Sequence, residues 1–254
     1  MPISDRNPSA QMLSACGRLF LIDCGEGTQQ QMRRSHLSFM KVEAIFISHI
    51  HGDHLFGLFG FLNSLAMYGR TGKLDIYGPQ ALGSVLKFYS SFFGTDDSYE
   101  IAFHPLSCKA PEVVHVSKHL KVSAFPLKHK IECYGYRFDE IVSERHIKEN
   151  PAYRGKSYAY CSDTMPFDEL PQWVKGVDLL YHEATYQDSM ADKAAFRFHS
   201  TTSDAARCAL EAGAGRLVVG HYSSRITDFE AFIAECRAIF PDTVAAQDGD
   251  VFEI

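Results

Sequence analysis

Hydrophobic residues recur along this chain in short β-branched or aromatic runs, each cut off by Gly, Asp, Pro or Ser. Between several of them lie longer segments with apolar positions at helical spacing. Such runs read as strands and such segments as helices. The pattern predicts strands over residues 17–24, 42–47, 73–77, 99–106, 113–116, 120–126, 134–138, 157–161, 177–181 and 217–220, with short strands at the C-terminus. It predicts helices over 28–34, 55–68, 80–93, 201–212 (closed by Gly213) and 228–240 (followed by Pro241). Residues 141–156 are polar, are broken by Asn150-Pro151 and Gly155, and read as an irregular excursion. The alternation of strand and helix indicates an α/β fold, with no repeat of fixed period. At 254 residues the chain fits one domain spanning 1–254.

The run 42–47 stops at Ser48 and delivers His49, His51, Asp53 and His54 within six residues, just before a predicted helix. Imidazole nitrogens and carboxylate oxygens are the usual zinc donors where no thiolate serves. His49 and His51 alternate on an extended turn and can aim at one ion, while Asp53 and His54, adjacent in the turn, can face a second. A polar turn with chance histidines is the ordinary alternative, and this density of ligand types outweighs it. His129, Asp163, Glu183 and His221 also fall just past predicted strand ends. In layered α/β folds that edge is where sites assemble. A lone His at a strand end is more often structural, but five such ends in one chain point to a shared site.

Charge and cysteines narrow the setting. The net charge of −6 argues weakly against unspecific nucleic-acid binding. It is uneven, however: residues 118–156 carry +4, leaving −10 for the remainder, which fits a polyanion contact at one face as well as it fits an ordinary solvated surface. No run of 18 apolar residues marks a membrane helix, and the polar start Met1-Pro2-Ile3-Ser4-Asp5-Arg6 is no signal peptide. Seven cysteines without a CxxC pair read as reduced thiols of a cytoplasmic protein, with Cys16, Cys24 and Cys208 as small core residues.

The segment His49-Ile50-His51-Gly52-Asp53-His54 resembles, residue for residue, the HxHxDH signature of the metallo-β-lactamase superfamily. That motif selects a fold and not a reaction, since members cleave β-lactams, thioesters and phosphodiesters. Nearly all the rest of the chain is similar to the ribonuclease Z (tRNase Z) family. Asp23-Cys24-Gly25-Glu26-Gly27-Thr28-Gln29 looks like its DCGEGTQ segment, and residues 67–79 like its M-x-GR…L-x-IYGP stretch. Pro126-Leu127-Lys128-His129 resembles P-L-x-H, and Tyr160-Cys161-Ser162-Asp163-Thr164 resembles Y-C-[SG]-D-T. His182-Glu183-Ala184-Thr185 and His199-Ser200-Thr201 match the HEAT and HST motifs, and Gly220-His221-Tyr222-Ser223-Ser224-Arg225 closes the set.

The resemblance implies a four-layer αβ/βα metallo-β-lactamase sandwich and a zinc-dependent endoribonuclease that removes the 3′ trailer from precursor tRNA, leaving a 3′-hydroxyl. It implies two Zn2+ per chain, with Mn2+ also admitted by these ligands. His49, His51 and His129 would bind the first ion, Asp53, His54 and His221 the second, and Asp163 would bridge them. A shared carboxylate offsets repulsion between ions about 3.5–4 Å apart, and metal binding lowers the pKa of bound water toward about 7. On the same resemblance Asp53, His199 and Glu183 would be the residues of the reaction. His199 would give a proton to the departing 3′-oxygen with Glu183 orienting it, the ordinary alternative being a helix-capping or packing histidine. The family also implies a homodimer, for which Phe56, Phe59, Leu62, Phe88, Phe92 and Phe93 offer apolar surface unless they fill the core. Two departures accompany the likeness: the family's initial LGTG-like strand is missing before Arg6, and the 33 residues between His129 and Asp163 leave room only for a reduced exosite arm around 139–156. Two competing readings keep the same residues. One is a dinuclear-zinc phosphodiesterase or thioesterase acting on a small molecule, and the other is a non-catalytic RNA-binding subunit, against which the complete ligand set speaks.

Overall fold

The computed structural model describes residues 6–93, 98–226 and 228–254; most of the polar start, residues 1–5, lies outside them. The chain divides into two compact units, Met1–Ser107 and Cys108–Ile254.

In the first unit five strands form one sheet in chain order: β1 (Gln11–Ala15), β2 (Arg18–Ile22), β3 (Val42–Phe46), β4 (Leu74–Pro79) and β5 (Ile101–Leu106). β1 and β2 are an antiparallel hairpin and the remaining pairs are parallel. Burial explains why β3 reads as a largely apolar run: Val42, Ala44, Ile45 and Phe46 are buried and only Glu43 is partly exposed, as in a strand covered on both faces. Helices α1 (Thr28–Arg34), α2 (Gly52–Leu55), α3 (Leu58–Met67) and α4 (Gln80–Phe93) belong to this unit. Its core joins Leu21, Ile45 and Ile76 of the sheet to Leu58, Phe61, Leu65 and Leu82 of the helices.

The second unit holds a seven-stranded sheet of β6 (Glu112–Val116), β7 (Leu120–Pro126), β8 (Tyr134–Glu140), β9 (Ser157–Cys161), β10 (Leu179–Glu183), β11 (Arg216–Gly220) and β12 (Thr243–Ala245), adjacent in that order. β9 to β12 are parallel. β8 is antiparallel to both β7 and β9, so β7 runs the same way as β9. The C-terminal ends of β7, β9, β10 and β11 therefore share one edge of the sheet. Helices α5 (Glu144–Glu149), α6 (Leu170–Trp173), α7 (Ala191–Arg197), α8 (Thr202–Ala212) and α9 (Phe229–Ile239) complete the unit. α8 starts with a reciprocal capping box, Thr201 with Asp204, and stops at Gly213 in the left-handed region. No helix among the described residues is long and apolar enough to cross a membrane.

The structure departs from the sequence pattern in several places. The expected strand 17–24 is the second arm of a hairpin whose two-residue turn is Cys16-Gly17, both with positive φ. Cys16 is thus exposed at a turn instead of filling the core, while Cys24 and Cys208 are buried as expected. The helix expected over 55–68 breaks at Phe56-Gly57, because Gly57 approaches the loop after β2 so closely that a Cβ there would fall on the Gly25 carbonyl oxygen. The Gly57 N–H donates to the Cys24 carbonyl at 2.9 Å. Within the expected excursion 141–156 lies α5, capped by the Ser143 hydroxyl. α6 and α7 were unexpected. β10 begins at Leu179, so His182 and Glu183 lie inside the strand and not past its end.

Candidate metal centre

In the first unit the HxHxDH segment leaves β3 and turns into α2, beside the loop that leaves β2. Asp23, at the end of β2, organises the donors there. It adopts the left-handed region with φ 55°, an uncommon state that Asp tolerates better than most residues. Its Oδ1 accepts from the Ser48 backbone N–H at 2.7 Å, and its Oδ2 from the Ser48 hydroxyl at 2.8 Å and from His54 Nδ1 at 2.7 Å. Counting protons fixes the histidine tautomers. Ser48 has given its one hydroxyl hydrogen to Asp23, so its oxygen accepts from His49 Nδ1 at 3.0 Å. Both His49 and His54 thus carry the proton on Nδ1 and present Nε2 as a donor to a metal. A histidine ligand held this way by a carboxylate or hydroxyl is the usual outer shell of a metal site. His49 Nε2 lies 3.0 Å from His51 Nδ1, close to the spacing of about 3.3 Å that two nitrogens on one tetrahedral ion would have. A carboxylate oxygen of Asp53 and a ring nitrogen of His54 come within 4.8 Å of each other.

In the second unit the shared sheet edge brings together the residues after β7, β9, β10 and β11. Asp163 is 3% exposed and turns its two oxygens to two histidines: Oδ2 lies 3.8 Å from His129 Nε2 and Oδ1 lies 3.3 Å from His221 Nε2. Both histidines have their protons elsewhere. His129 Nδ1 donates to the Phe198 carbonyl at 2.9 Å, an oxygen that can only accept. The Thr185 hydroxyl gives its hydrogen to Glu183 Oε2 at 2.7 Å, so its oxygen accepts from His221 Nδ1 at 2.9 Å. Two imidazole lone pairs thus converge on one carboxylate, an arrangement that cations between them would turn from repulsive to favourable. Two residues of this second cluster, His221 (φ 60°) and Phe198 (φ 61°), are held at positive φ, each costing on the order of 1 kcal/mol.

Glu183 is fully buried and accepts from the backbone N–H groups of Thr164 and Ser200 (3.0 Å each) and of Thr185 (2.9 Å), besides the Thr185 hydroxyl. Its Oε1 also takes the proton of His199 Nδ1 at 2.9 Å. His199 comes within reach of Asp163 as well, at 3.9 Å, and Asp163, His199 and His221 form a trio close enough to hold an ion. That contact, however, uses the nitrogen whose proton goes to Glu183, which favours His199 as a proton carrier over a ligand. Sequence reasoning did not single out Asp23, Ser48, Thr185 or Phe198. The first three lie in or beside the quoted motifs, but nothing in spacing shows which histidine each one holds.

A family model described as "Beta-lactamase superfamily domain" matches residues 18–222, a span that contains all the candidate metal donors together with His199 and Glu183. Ribonuclease Z of Bacteroides fragilis (strain YCH46) is 35% identical over 284 aligned residues, covering 98% of this chain and 93% of that protein. The chain belongs to the ribonuclease Z family. The ribonuclease Z of Parabacteroides distasonis is 37% identical over 98% of this chain and 94% of its own length. Among solved structures, human tRNase Z, short form, matches this ribonuclease Z family member with a TM-score of 0.82 at 29% identity, covering 100% of this chain and 95% of that one. The fold is accordingly the α/β fold of metallo-β-lactamases that the HxHxDH segment implied, and its His/Asp clusters are of the kind that hold divalent metal.

Proposed function

We propose that this chain is a metal-dependent endoribonuclease that removes the 3′ trailer from tRNA precursors and leaves a 3′-hydroxyl on the tRNA. The observation that carries the chemistry is Asp163, whose two oxygens face two histidines with assigned tautomers. Membership of the ribonuclease Z family carries the substrate. His49, His51 and His129 would hold one ion and Asp53, His54 and His221 a second, with Asp163 available to both; the donor set suits two Zn2+, and Mn2+ would fit it as well. When bound, the ions supply the hydrolytic nucleophile and offset charge on the phosphoryl oxygens.

The chain's own residues do the rest. Asp23, Ser48, Thr185 and the Phe198 carbonyl hold each imidazole in the tautomer that ligates. His199, oriented by Glu183, gives a proton to the departing 3′-oxygen, a poor leaving group without one. Residues 1–254 act as one functional domain with a short arm at 139–156, in the cytoplasm. Phe56, Phe88, Phe92 and Phe93 are more than half exposed, as are Met67 and Tyr68, whereas Leu62 is buried and Phe59 half-buried. An exposed aromatic set of this size suits a homodimer, and light scattering should give twice the 28.5 kDa chain mass. The function is tested with an unmodified precursor-tRNA transcript. Cleavage at the trailer junction, abolished by a chelator and restored by Zn2+, supports it. Turnover of a chromogenic phosphodiester with no cleavage of the transcript would favour a small-molecule substrate instead.

A further inference from the structure

The two residues that flank His129 in the chain, Lys128 and Lys130, each lie against an aromatic ring in the second unit. On one side Lys128 places its ammonium 4.7 Å from the centre of the Phe167 ring. On the other, Lys130 places its ammonium 5.5 Å from the Phe196 ring, and the Arg197 guanidinium lies 5.8 Å from the same ring. Lys128 also reaches Glu169 at 3.9 Å, which leaves Lys130 and Arg197 as the better partners for an incoming anion. Phe196 is 72% exposed at the end of α7. It is nonetheless tied to the chemistry: two residues later the Phe198 carbonyl orients His129, and one further on His199 meets Glu183.

A solvent-facing ring bracketed by two cations is how proteins grip single-stranded nucleic acid: cations take the phosphates and the ring stacks on a base, whatever its identity. We infer that Phe196 is a stacking platform for an unpaired base next to the cleaved bond, with Lys130 and Arg197 holding the flanking phosphates. This rests on the endonuclease reading and adds to it the residue that grips the strand at the cut. Two bases meet at that bond, the last of the tRNA and the first of the trailer, and either offers a ring to stack.

The test is stopped-flow fluorescence of the metal-loaded enzyme with precursor tRNA carrying 2-aminopurine at one or the other of these positions. Stacking quenches this base, so the parent should give a fluorescence drop at one position before cleavage. Phe196→Ala should lose that drop and raise KM by roughly 5- to 100-fold, the effect of one base–aromatic stack. Phe196→Trp should restore both, and Phe196→Leu, apolar but without a π face, should not. No drop at either position, a drop retained in Phe196→Ala, or full function in Phe196→Leu would overturn the inference. The two readings fail separately: a parent that does not cleave the transcript defeats the endonuclease reading, whereas a parent that cleaves while Phe196→Ala keeps the drop defeats only the stacking.

Discussion

Asp23→Asn is the sharpest probe of how the metal donors are set, because it changes one atom and keeps the shape. Asp23 Oδ1 accepts one hydrogen bond and Oδ2 accepts two, all three between 2.7 and 2.8 Å. An amide cannot reproduce that pattern in either orientation. With its NH2 at the Oδ1 position it meets the buried Ser48 backbone N–H, donor against donor. With its NH2 at the Oδ2 position it drives His54 to accept on Nδ1, moving the proton to Nε2 and removing that nitrogen from the metal. Loss of such a supporting group weakens metal binding by about 10- to 100-fold, or about 1.4–2.7 kcal/mol. Asn also tolerates the left-handed backbone at this position, so the fold should hold. Asp23→Ala is the poorer probe, since it leaves buried Ser48 donors unmet at about 1–3 kcal/mol each. The assay is competition for Zn2+ against a chromophoric chelator, with the thermal midpoint of the metal-free protein measured alongside. The expected result is one site weakened within that range while the metal-free midpoint stays near the parent's. Parent affinity at every site, or a collapse of the metal-free midpoint, would refute the reasoning.

Other expectations follow from the same geometry. His199→Ala should keep its bound metal and tRNA affinity while kcat falls by about 10²- to 10⁴-fold; loss of metal would make His199 a ligand. Glu183→Ala should lower kcat too, but chiefly unfold: three buried N–H groups lose their acceptor, at about 1–3 kcal/mol each, and the thermal midpoint should drop sharply. In native protein a thiol reagent should titrate one cysteine, Cys16, against seven in denaturant, since the others are buried and Cys24, Cys208 and Cys236 are pushed up to about 12 by that burial. His182 is 1% exposed and burial holds its pKa below 6.5. The unfolded chain therefore binds its proton first, so this residue's contribution is present above about pH 6.5 and declines as pH falls toward the folded value. The thermal midpoint of the parent should fall more steeply than that of His182→Gln between about pH 7 and pH 5.5, and parallel slopes would contradict this.

Much of this centre was legible in the chain. The run before Ser48 is apolar but for Glu43 because the rest of β3 is buried, and that burial is what makes the burst of His and Asp after it stand out. His129, Asp163 and His221 were readable as strand ends because parallel strands bring those ends to one edge. What stayed hidden depends on contacts remote in sequence. Asp23 acts through Ser48 and His54, 25 and 31 residues away, from a backbone conformation that no periodicity announces. The break before α3 arises from the Gly25–Gly57 approach, which local apolar spacing cannot register. α7 and Phe198 were missed because the segment carries no strong apolar stripe, only one of its seven residues being buried.

The most direct test of the central claim is mass analysis of both product ends after cleavage of a precursor tRNA in 18O-labelled water. Attack of water on phosphorus with the 3′-oxygen leaving predicts an unlabelled 3′-hydroxyl on the tRNA and one 18O in the 5′-phosphate of the trailer. A 3′-phosphate or 2′,3′-cyclic phosphate on the tRNA, or label in its 3′-hydroxyl, would contradict the account.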